Sequence, residues 1–534
     1  MVSNLDLTIV VCYFAVTVCV GLWFARKTRG TTEFFLAGRK LVWPLIGLSL
    51  FATNISAEHL VGLAQEGHER GLVIGGFEWM ASYCLIMLAA VFAPQYIRHK
   101  VFTIPEWFEK RYGSETRVAL TVYFLAMIVL TKTAVAAYAG GIVLEELTGW
   151  DLYTVMWVIG IITALYTLFG GLAAVVYTDA LQSLVLIGGS CVMTVLAWNQ
   201  VGGWTELQTS LEELGKSSHL SMVRGPTDAD LPFTGFVLGN FLVGGMFYWC
   251  MDQVNVQRVL GAKDVTHARK GAIFAGFLKI IPVFILVLPG VIALALPEIN
   301  KDIDANGKNT YRVLVTQLLG PGLSGLVLAA LLAALMSSMS SAFNSAATLV
   351  SRDLVARFRP DVSTKTQIRI GQVALLTVMV LGIAIAPLVR EFPTIWDYLQ
   401  KVTGYLSVPF AVAGLTGILT RWSNRRGAMA GVIVGVVAGA FFLIESEAKL
   451  NWITHPLLGS FLHRIFLAAV LSFVALWVVS KLTGPPSREV LEGNMTFRFG
   501  PAPDEPPPKT LLHDYRLWLV ILFVTVSALW YVFR

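Results

Sequence analysis

At 534 residues, with 56% apolar and 14% charged side chains and a mean hydropathy of +0.68, the chain is too apolar for a soluble protein and reads as a polytopic membrane protein. Its net charge of +6 sits in short basic clusters between apolar runs, a pattern of membrane topology rather than of a nucleic-acid surface. All five cysteines (Cys12, Cys19, Cys84, Cys191 and Cys250) lie inside apolar runs, so neither a disulfide framework nor a cysteine metal site is expected.

The first apolar run, about Leu7 to Ala25, follows Asp6 and precedes Arg26, Lys27 and Arg29. A secretory signal has its basic cluster in front, so this helix is expected to be retained, with its start outside and its end in the cytoplasm. A basic amphipathic linker runs on to Lys40. Spans are then predicted near 43–66, 74–97, 117–146, 152–171, 177–198, 234–255, 270–296, 321–351, 367–389, 394–420, 427–446, 459–481 and 515–533, about fourteen in all at roughly 20 residues each. The 321–351 segment is long for one span and must tilt, break or protrude. Loops 199–233 and 297–320 are polar and external on this count. The 482–514 stretch, with GPPSRE and PAPDEPPP, reads as an irregular cytoplasmic linker. The clusters Arg98/Lys100/Lys110/Arg111, Arg258/Lys263/Arg269/Lys270, Arg352/Arg357/Arg359 and Arg421/Arg425/Arg426 then all face the cytoplasm, and both termini lie outside.

Polar residues interrupt these runs. Phe51 to Gly62 reads FATNISAEHLVG and carries Asn54, Ser56, Glu58 and His59 within an apolar helix. Either the helix unwinds there to hold ions and a polar solute, or these are ordinary interhelical hydrogen bonds. Glu78, Lys132, Asp179, Asp252, Lys279 and Gln400 interrupt other spans. A charge at a helix centre costs about 2.5–3.5 kcal/mol, so each needs a partner or a wet cavity. Lys132 and Asp252 could pair or snorkel. His59, Glu78 and Lys279, from separate helices, could converge on hydroxyls.

Ala333 to Asn344 reads AALMSSMSSAFN. At 100° per residue, Ser337, Ser340 and Ser341 share a face, with Ser338 beside it. Serines often bond their own helix or let helices approach, but four together could supply hydroxyl ligands to a hard cation such as sodium. Carbonyls of an unwound neighbour would complete the shell, and Asp179 could neutralise an additional ion. No GK[ST] loop, HExxH or CxxC occurs, and no nucleophile–base–orienter set can be assembled, so an enzyme is not expected.

The strings FATNISAEHLVGLA, GGFEWM, FTIPEWFEKRYG, ALYTLFGGLAAVVYTDALQS, FYWCMDQVNVQRVLGAK, GFLKIIPVF, LMSSMSSAFNSAATLVSRDL and DYLQKVTGYLSVP span about 34–420. On these motifs the chain resembles the sodium/solute symporter family, its sodium/glucose cotransporter branch in particular. The helices after Arg421 match only in number and hydropathy.

The resemblance implies an all-α, leucine-transporter-like membrane fold of about fourteen helices with a 5+5 inverted-repeat core. The repeats would be 43–198 and 234–420, with an extra helix and linker (1–42) before them. After them would come two peripheral helices (421–481), the linker and a last helix (515–534). The helices holding Asn54 and Tyr248 would be the broken pair.

By the same resemblance Asn54, His59, Glu78, Lys279 and Gln400 would bind the solute, with Tyr248 and Trp249 beneath it as inner gate. Leu63, Phe77 and Trp396 would close it from outside. Sodium would be held by Ala52, Ile55 and Ala334 carbonyls with Ser337 and Ser338 hydroxyls. A second sodium would use Asp179, Ser340 and Ser341.

The implied function is sodium-coupled uptake of a hexose-like monosaccharide across the cell (inner) membrane by alternating access, with no obligatory protein partner. His59 leans toward a hexose, whereas Gly245 and Ala81 stand where some members have polar sugar contacts. Inositol, sialic acid, an amino acid or an anion are alternative solutes, and a membrane sensor is the alternative of another class. Glu58 has no role in this scheme.

Overall fold

A backbone crossing lipid must satisfy its own hydrogen bonds, and the described residues do so with helices in the long apolar runs. The computed structural model describes residues 3–25, 30–391, 395–448, 450, 452–453, 455–488, 490, 493, 495–497 and 510–534. Residues 489, 491–492, 494 and 498–509 of the expected linker therefore lie outside the described residues.

Helix α1 (Asn4–Ala25) leads to two half-length helices, α2 (Trp43–Asn54) and α3 (Ala57–Arg70). Helix α4 (Leu72–Arg98) is joined by the short α5 (Ile104–Tyr112) to α6 (Ser114–Glu145), and α7 (Leu152–Val201) follows. The second half holds α8 (Phe233–Cys250), α9 (Gln253–Leu260), α10 (Val265–Ala295), α11 (Leu323–Phe358) and α12 (Thr364–Val389). Helices α13 (Ile395–Leu419), α14 (Arg425–Glu447), α15 (Phe461–Thr483) and α16 (Tyr515–Val532) complete the chain.

Among the described residues, 12 helices are long and apolar enough to cross a membrane. The expected count differs for two local reasons. The 43–66 span is interrupted, so neither α2 nor α3 is long enough alone. The two spans expected at 152–171 and 177–198 run together as α7, whose 50 residues include a non-helical Gly171 at φ 57°, ψ −154°. At about 1.5 Å per residue a straight 50-residue helix would far exceed a bilayer, and the bend at Gly171 falls at the end of the first of the two expected spans. A Cβ there would lie 2.3 Å from the carbonyl oxygen of Phe34, in the short helix Thr31–Leu36 that precedes α2.

Two breaks share one design. After α2, Ile55 is extended (φ −78°, ψ 105°), and Ser56 caps α3 with its backbone N–H donating to His59 Nδ1 (3.4 Å). After α8, Met251 leaves the helix, and Asp252 caps α9 by accepting from the Asn255 backbone N–H (3.2 Å). Each break points carbonyls of one half-helix and N–H groups of the next into the protein interior.

One face collects the start of α1, the ends of α3 and α16, and both long loops. Asp6 Oδ1 accepts from Gly322 and Gly325 N–H (2.7 Å each), and Met222 N–H donates to the Phe533 carbonyl (2.7 Å). His68 Nε2 meets Asn300 Oδ1 (2.7 Å), and His219 Nε2 meets the Glu69 carbonyl (3.1 Å).

On the other face α11 overruns the bilayer, and its last turns are clamped. Asp353 pairs with Arg117 (2.5 Å) and accepts from Thr103 Oγ1 (2.7 Å), while Glu109 of α5 pairs with Arg117 (2.5 Å) and Arg357. Burial pushes the Glu109 carboxyl up, but the hydrogen bonds from Arg357 and Arg117 outweigh it and hold it below its ordinary value.

Three arginines counted as topological charge prove to be interior. Arg111, Arg258 and Arg269 are buried. Arg111 donates to the Gly417 and Thr420 carbonyls and to Ser423 Oγ (2.9, 3.0 and 2.8 Å), and Arg269 lies over the Tyr515 ring (4.1 Å). Charge counting along a sequence cannot separate a loop cation from one folded back under a helix end.

Gly171→Ala should cost about 1–3 kcal/mol, because the glycine-only backbone region is closed to alanine, with the clash at Phe34 added. A lowered thermal-unfolding midpoint in detergent is the expected result, with Gly188→Ala, which meets nothing within 4 Å, as the neutral control.

Candidate functional site

The breaks open onto one cavity. Asn54 from the end of α2 and Glu58 and His59 from the first turn of α3 line it, with Phe77 and Glu78 of α4 opposite. Lys132 of α6, Tyr248 and Trp249 of α8, and Lys279 of α10 form further walls; Gln400 of α13 also lines it. Lys279 stands where α10 is interrupted before Pro282, a residue with no N–H to continue the ladder. There Trp79 Nε1 donates to the Ile280 carbonyl (3.3 Å).

The polar side chains form a continuous chain. Lys279 Nζ donates to Glu78 Oε2 and to Asn54 Oδ1 (2.5 Å). Asn54 Nδ2 donates to the Tyr248 hydroxyl (3.0 Å), which also accepts from Lys132 Nζ (2.8 Å). The Lys132 ammonium lies 4.1 Å from the Tyr248 ring centroid, and Lys279 lies 5.5 Å from that of Trp249. His59 Nε2 is 3.8 Å from Glu78 Oε1. Lys132 and Lys279 face Glu58 and Glu78, so the cavity's lysine and carboxylate charges balance when all are ionised.

Aromatic rings close one end. Trp396 is edge-on to His59 (5.1 Å) and to Phe77 (6.0 Å), and Phe77 is edge-on to Phe236 (5.0 Å) and stacked on Phe461 (6.5 Å). Leu63 is fully buried and does not reach the cavity wall. Helix α15, expected at the periphery, brings Phe461 to the cavity. Gly239 permits this: a Cβ there would stand 1.9 Å from the Leu462 carbonyl.

Directly beneath, α11 meets the end of α2. Ser337 Oγ donates to the Ala52 carbonyl (2.8 Å) and lies 3.0 Å from that of Ala334, and Ser338 Oγ donates to the Thr53 carbonyl (3.2 Å). Ala52, Ala334, Ser337 and Ser338 thus lie together, but the carbonyl met by Ser338 belongs to Thr53 rather than Ile55. An all-oxygen set of carbonyls and hydroxyls fits a hard cation such as sodium.

A second oxygen cluster adjoins it. Asp179 Oδ2 accepts from Ser49 Oγ (2.6 Å), Thr53 Oγ1 (3.2 Å) and Ser341 Oγ (3.5 Å), while Asp179 Oδ1 is buried without a hydrogen-bond partner among the described residues. Ser340 donates along its own helix to the Ser337 carbonyl (3.0 Å). Sequence reasoning missed Ser49, Thr53 and Arg258 here. Ser49 and Thr53 stand four apart on α2, one helix face, which is a legible signal. Arg258, whose Nη2 donates to Ser341 Oγ (2.9 Å), was hidden among basic neighbours.

Glu78→Gln should leave the Lys279 ammonium buried beside a neutral amide and lower stability by about 3–5 kcal/mol. The Glu78→Gln/Lys279→Gln double variant should recover most of that loss; thermal unfolding of the single and double variants measures it.

The chain matches the family model described as sodium:solute symporter family over residues 34–435. It is 36% identical over 479 residues to sodium/glucose cotransporter 1 of sheep (Ovis aries), covering 83% of this chain and 72% of that one. It is 35% identical over 530 residues to human (Homo sapiens) sodium/myo-inositol cotransporter 2, covering 91% and 78%. Its fold is similar to a solved structure described as a Na⁺-coupled sialic acid symporter in a substrate-bound outward-open state (TM-score 0.78, 20% identity, 90% of this chain and 99% of that one). A nucleobase-cation-symport-1 family transporter, described as closed with a hydantoin bound, has a TM-score of 0.58 at 16% identity, over 88% of this chain and 99% of that one. With the model match spanning most of its length, this chain belongs to the sodium:solute symporter family, sodium-coupled carriers of small solutes rather than enzymes.

Proposed function

We propose that this chain takes up a hexose-like monosaccharide with two sodium ions by alternating access. The observation that carries this reading is the continuity at Ala52–Asn54. Backbone oxygens there meet the α11 serines, the Thr53 hydroxyl meets Asp179, and the Asn54 amide joins the Lys279–Tyr248 network. Asn54, Glu78 and Lys279 would exchange their mutual hydrogen bonds for sugar hydroxyls, and His59 and Gln400 would add further polar contacts from the cavity wall. Trp249 and Tyr248 would meet the apolar ring face and form the inner gate. Phe77 and Trp396, backed by Leu63, would be the outer gate.

One sodium would be bound by Ala52, Ile55, Ala334, Ser337 and Ser338, and the other by Asp179, Ser340 and Ser341, with Thr53 and Ser49 added. The repeats would be 43–198 and 234–420, in a fold of fourteen spans. The two breaks, at Ile55–Ser56 and Met251–Asp252, support that pairing. The face carrying the long loops would be external.

Stoichiometry decides what the carrier can achieve. One charge moved across 100 mV is worth about 2.3 kcal/mol, and a tenfold sodium gradient adds about 1.4. One ion then sustains roughly 500-fold accumulation and two on the order of 10⁵-fold. A second reading, a cyclic polyol of the myo-inositol kind, is favoured by the relatives named for that solute. Like a pyranose, it is a six-membered ring with hydroxyls around its edge.

Counterflow in proteoliposomes should show glucose or galactose exchanging in sodium but not in potassium or choline. Exchange of myo-inositol or sialic acid with no hexose exchange would overturn the sugar assignment. Ser338→Ala should raise the sodium concentration for half-maximal uptake by about tenfold or more. Full coupling at low sodium in that variant would contradict the first ion site.

A further inference from the structure

Arg258 is a positive charge that the transport scheme does not use. It lies in α9, directly after the break that follows Tyr248 and Trp249, and none of its surface is exposed. Its Nη1 donates back to the Val254 and Asn255 carbonyls, its Nη2 donates to Ser341 Oγ (2.9 Å), and its Nε has no hydrogen-bond partner among the described residues. The same Ser341 hydroxyl lies 2.9 Å from Thr53 Oγ1 and 3.5 Å from Asp179 Oδ2. A buried guanidinium and a buried carboxylate, each with an unpartnered atom, are therefore bridged by one hydroxyl.

That arrangement constrains the ion. Arg258 lies between two buried carboxylates, Asp179 and Asp252 at the cap of its own helix. Together the three leave room for one more cation, but a sodium at Asp179 meets the guanidinium as a like charge in a dry region, where repulsion is little screened and the guanidinium is driven toward Asp252. Both cations also call on the same Ser341 oxygen.

We propose that Arg258 is a tethered cation that alternates with sodium at Asp179 and Ser341. Sodium arriving at the carboxylate displaces the guanidinium, and sodium leaving lets it return. Because Asn255 Nδ2, one turn before Arg258, donates to the Tyr248 carbonyl (2.9 Å), movement of α9 reaches the inner gate directly. Arg258 is thus a positioning residue that links ion release to gate movement. The inference rests on the second sodium site proposed above.

The test uses purified, reconstituted protein and two readouts. One is the sodium concentration that half-maximally raises the thermal-unfolding midpoint, with choline as control, and the other is turnover at saturating sodium. Arg258→Met, and Arg258→Gln if the methionine variant does not fold, should bind sodium about tenfold more tightly and turn over about tenfold more slowly, because the competitor for release is gone. Arg258→Lys should restore both values toward those of the native protein. Adding Asp179→Asn to Arg258→Met or Arg258→Gln should abolish the tighter binding. Unchanged or weaker sodium binding in the neutral variants, with turnover that lysine does not restore, overturns the proposal. If Asp179→Asn alone changes neither sodium binding nor the charge carried per solute, the second sodium site itself is wrong, and this inference falls with it.

Discussion

The structure depends on the carbonyls that α2 leaves open in the middle of the membrane. A helix end has four carbonyls without intrahelical partners, and in lipid each unsatisfied one costs several kcal/mol. Here the Ile55 N–H takes up Phe51, and the α11 serines take up Ala52 and Thr53. The helix can therefore stop where no water is available, and what satisfies it is a set of hydroxyls that a small hard cation can replace. On the ion site proposed above, binding a cation would change the last turn of α2, and Asn54 is part of that turn. Ion and solute would then meet through one stretch of backbone rather than through a relay of side chains.

The charges above and below that stretch are arranged differently. In the solute cavity two lysines face two glutamates across a space lined by aromatic rings, so the net field is small and the groups serve as donors and acceptors. Around Asp179 two buried carboxylates, Asp179 and Asp252, share the single guanidinium of Arg258, which is joined to Asp179 through Ser341. A neutral polar ligand suits the first arrangement and a cation the second. Buried pairs of this kind contribute little net stability, but breaking one is expensive, which makes them good holders of geometry.

Much of this was legible in the sequence. FATNISAEHLVG announced a disturbed helix because polar residues in an apolar run need partners, and the structure breaks the helix inside that string. The four serines of α11 and the carboxylate of Asp179 were visible for the same reason. What escaped reading had a bland appearance. Ser49 and Thr53 are small hydroxyls that sit anywhere in membrane helices, Arg258 lay in a basic cluster, and Lys132 could have snorkelled. Phe461 reached the cavity only because Gly239 lets α15 approach α8, a close approach that no hydropathy pattern records. The number of long apolar helices falls below the number of expected spans because a hydropathy window does not see that α2 stops at Asn54 or that α7 bends at Gly171 without ending.

The most direct measurement of the coupling at residues 52–54 is equilibrium binding of sugar at varied sodium, and of sodium at varied sugar, to native protein and to Thr53→Val. Linkage requires the two ligands to raise each other's affinity by one common factor. The valine keeps the Thr53 carbonyl and removes only the hydroxyl shared by Asp179 and Ser341. The account predicts a reciprocal factor of about ten or more in the native protein that shrinks several-fold in Thr53→Val. Sugar affinity independent of sodium in the native protein, or a factor unchanged by the substitution, would contradict it.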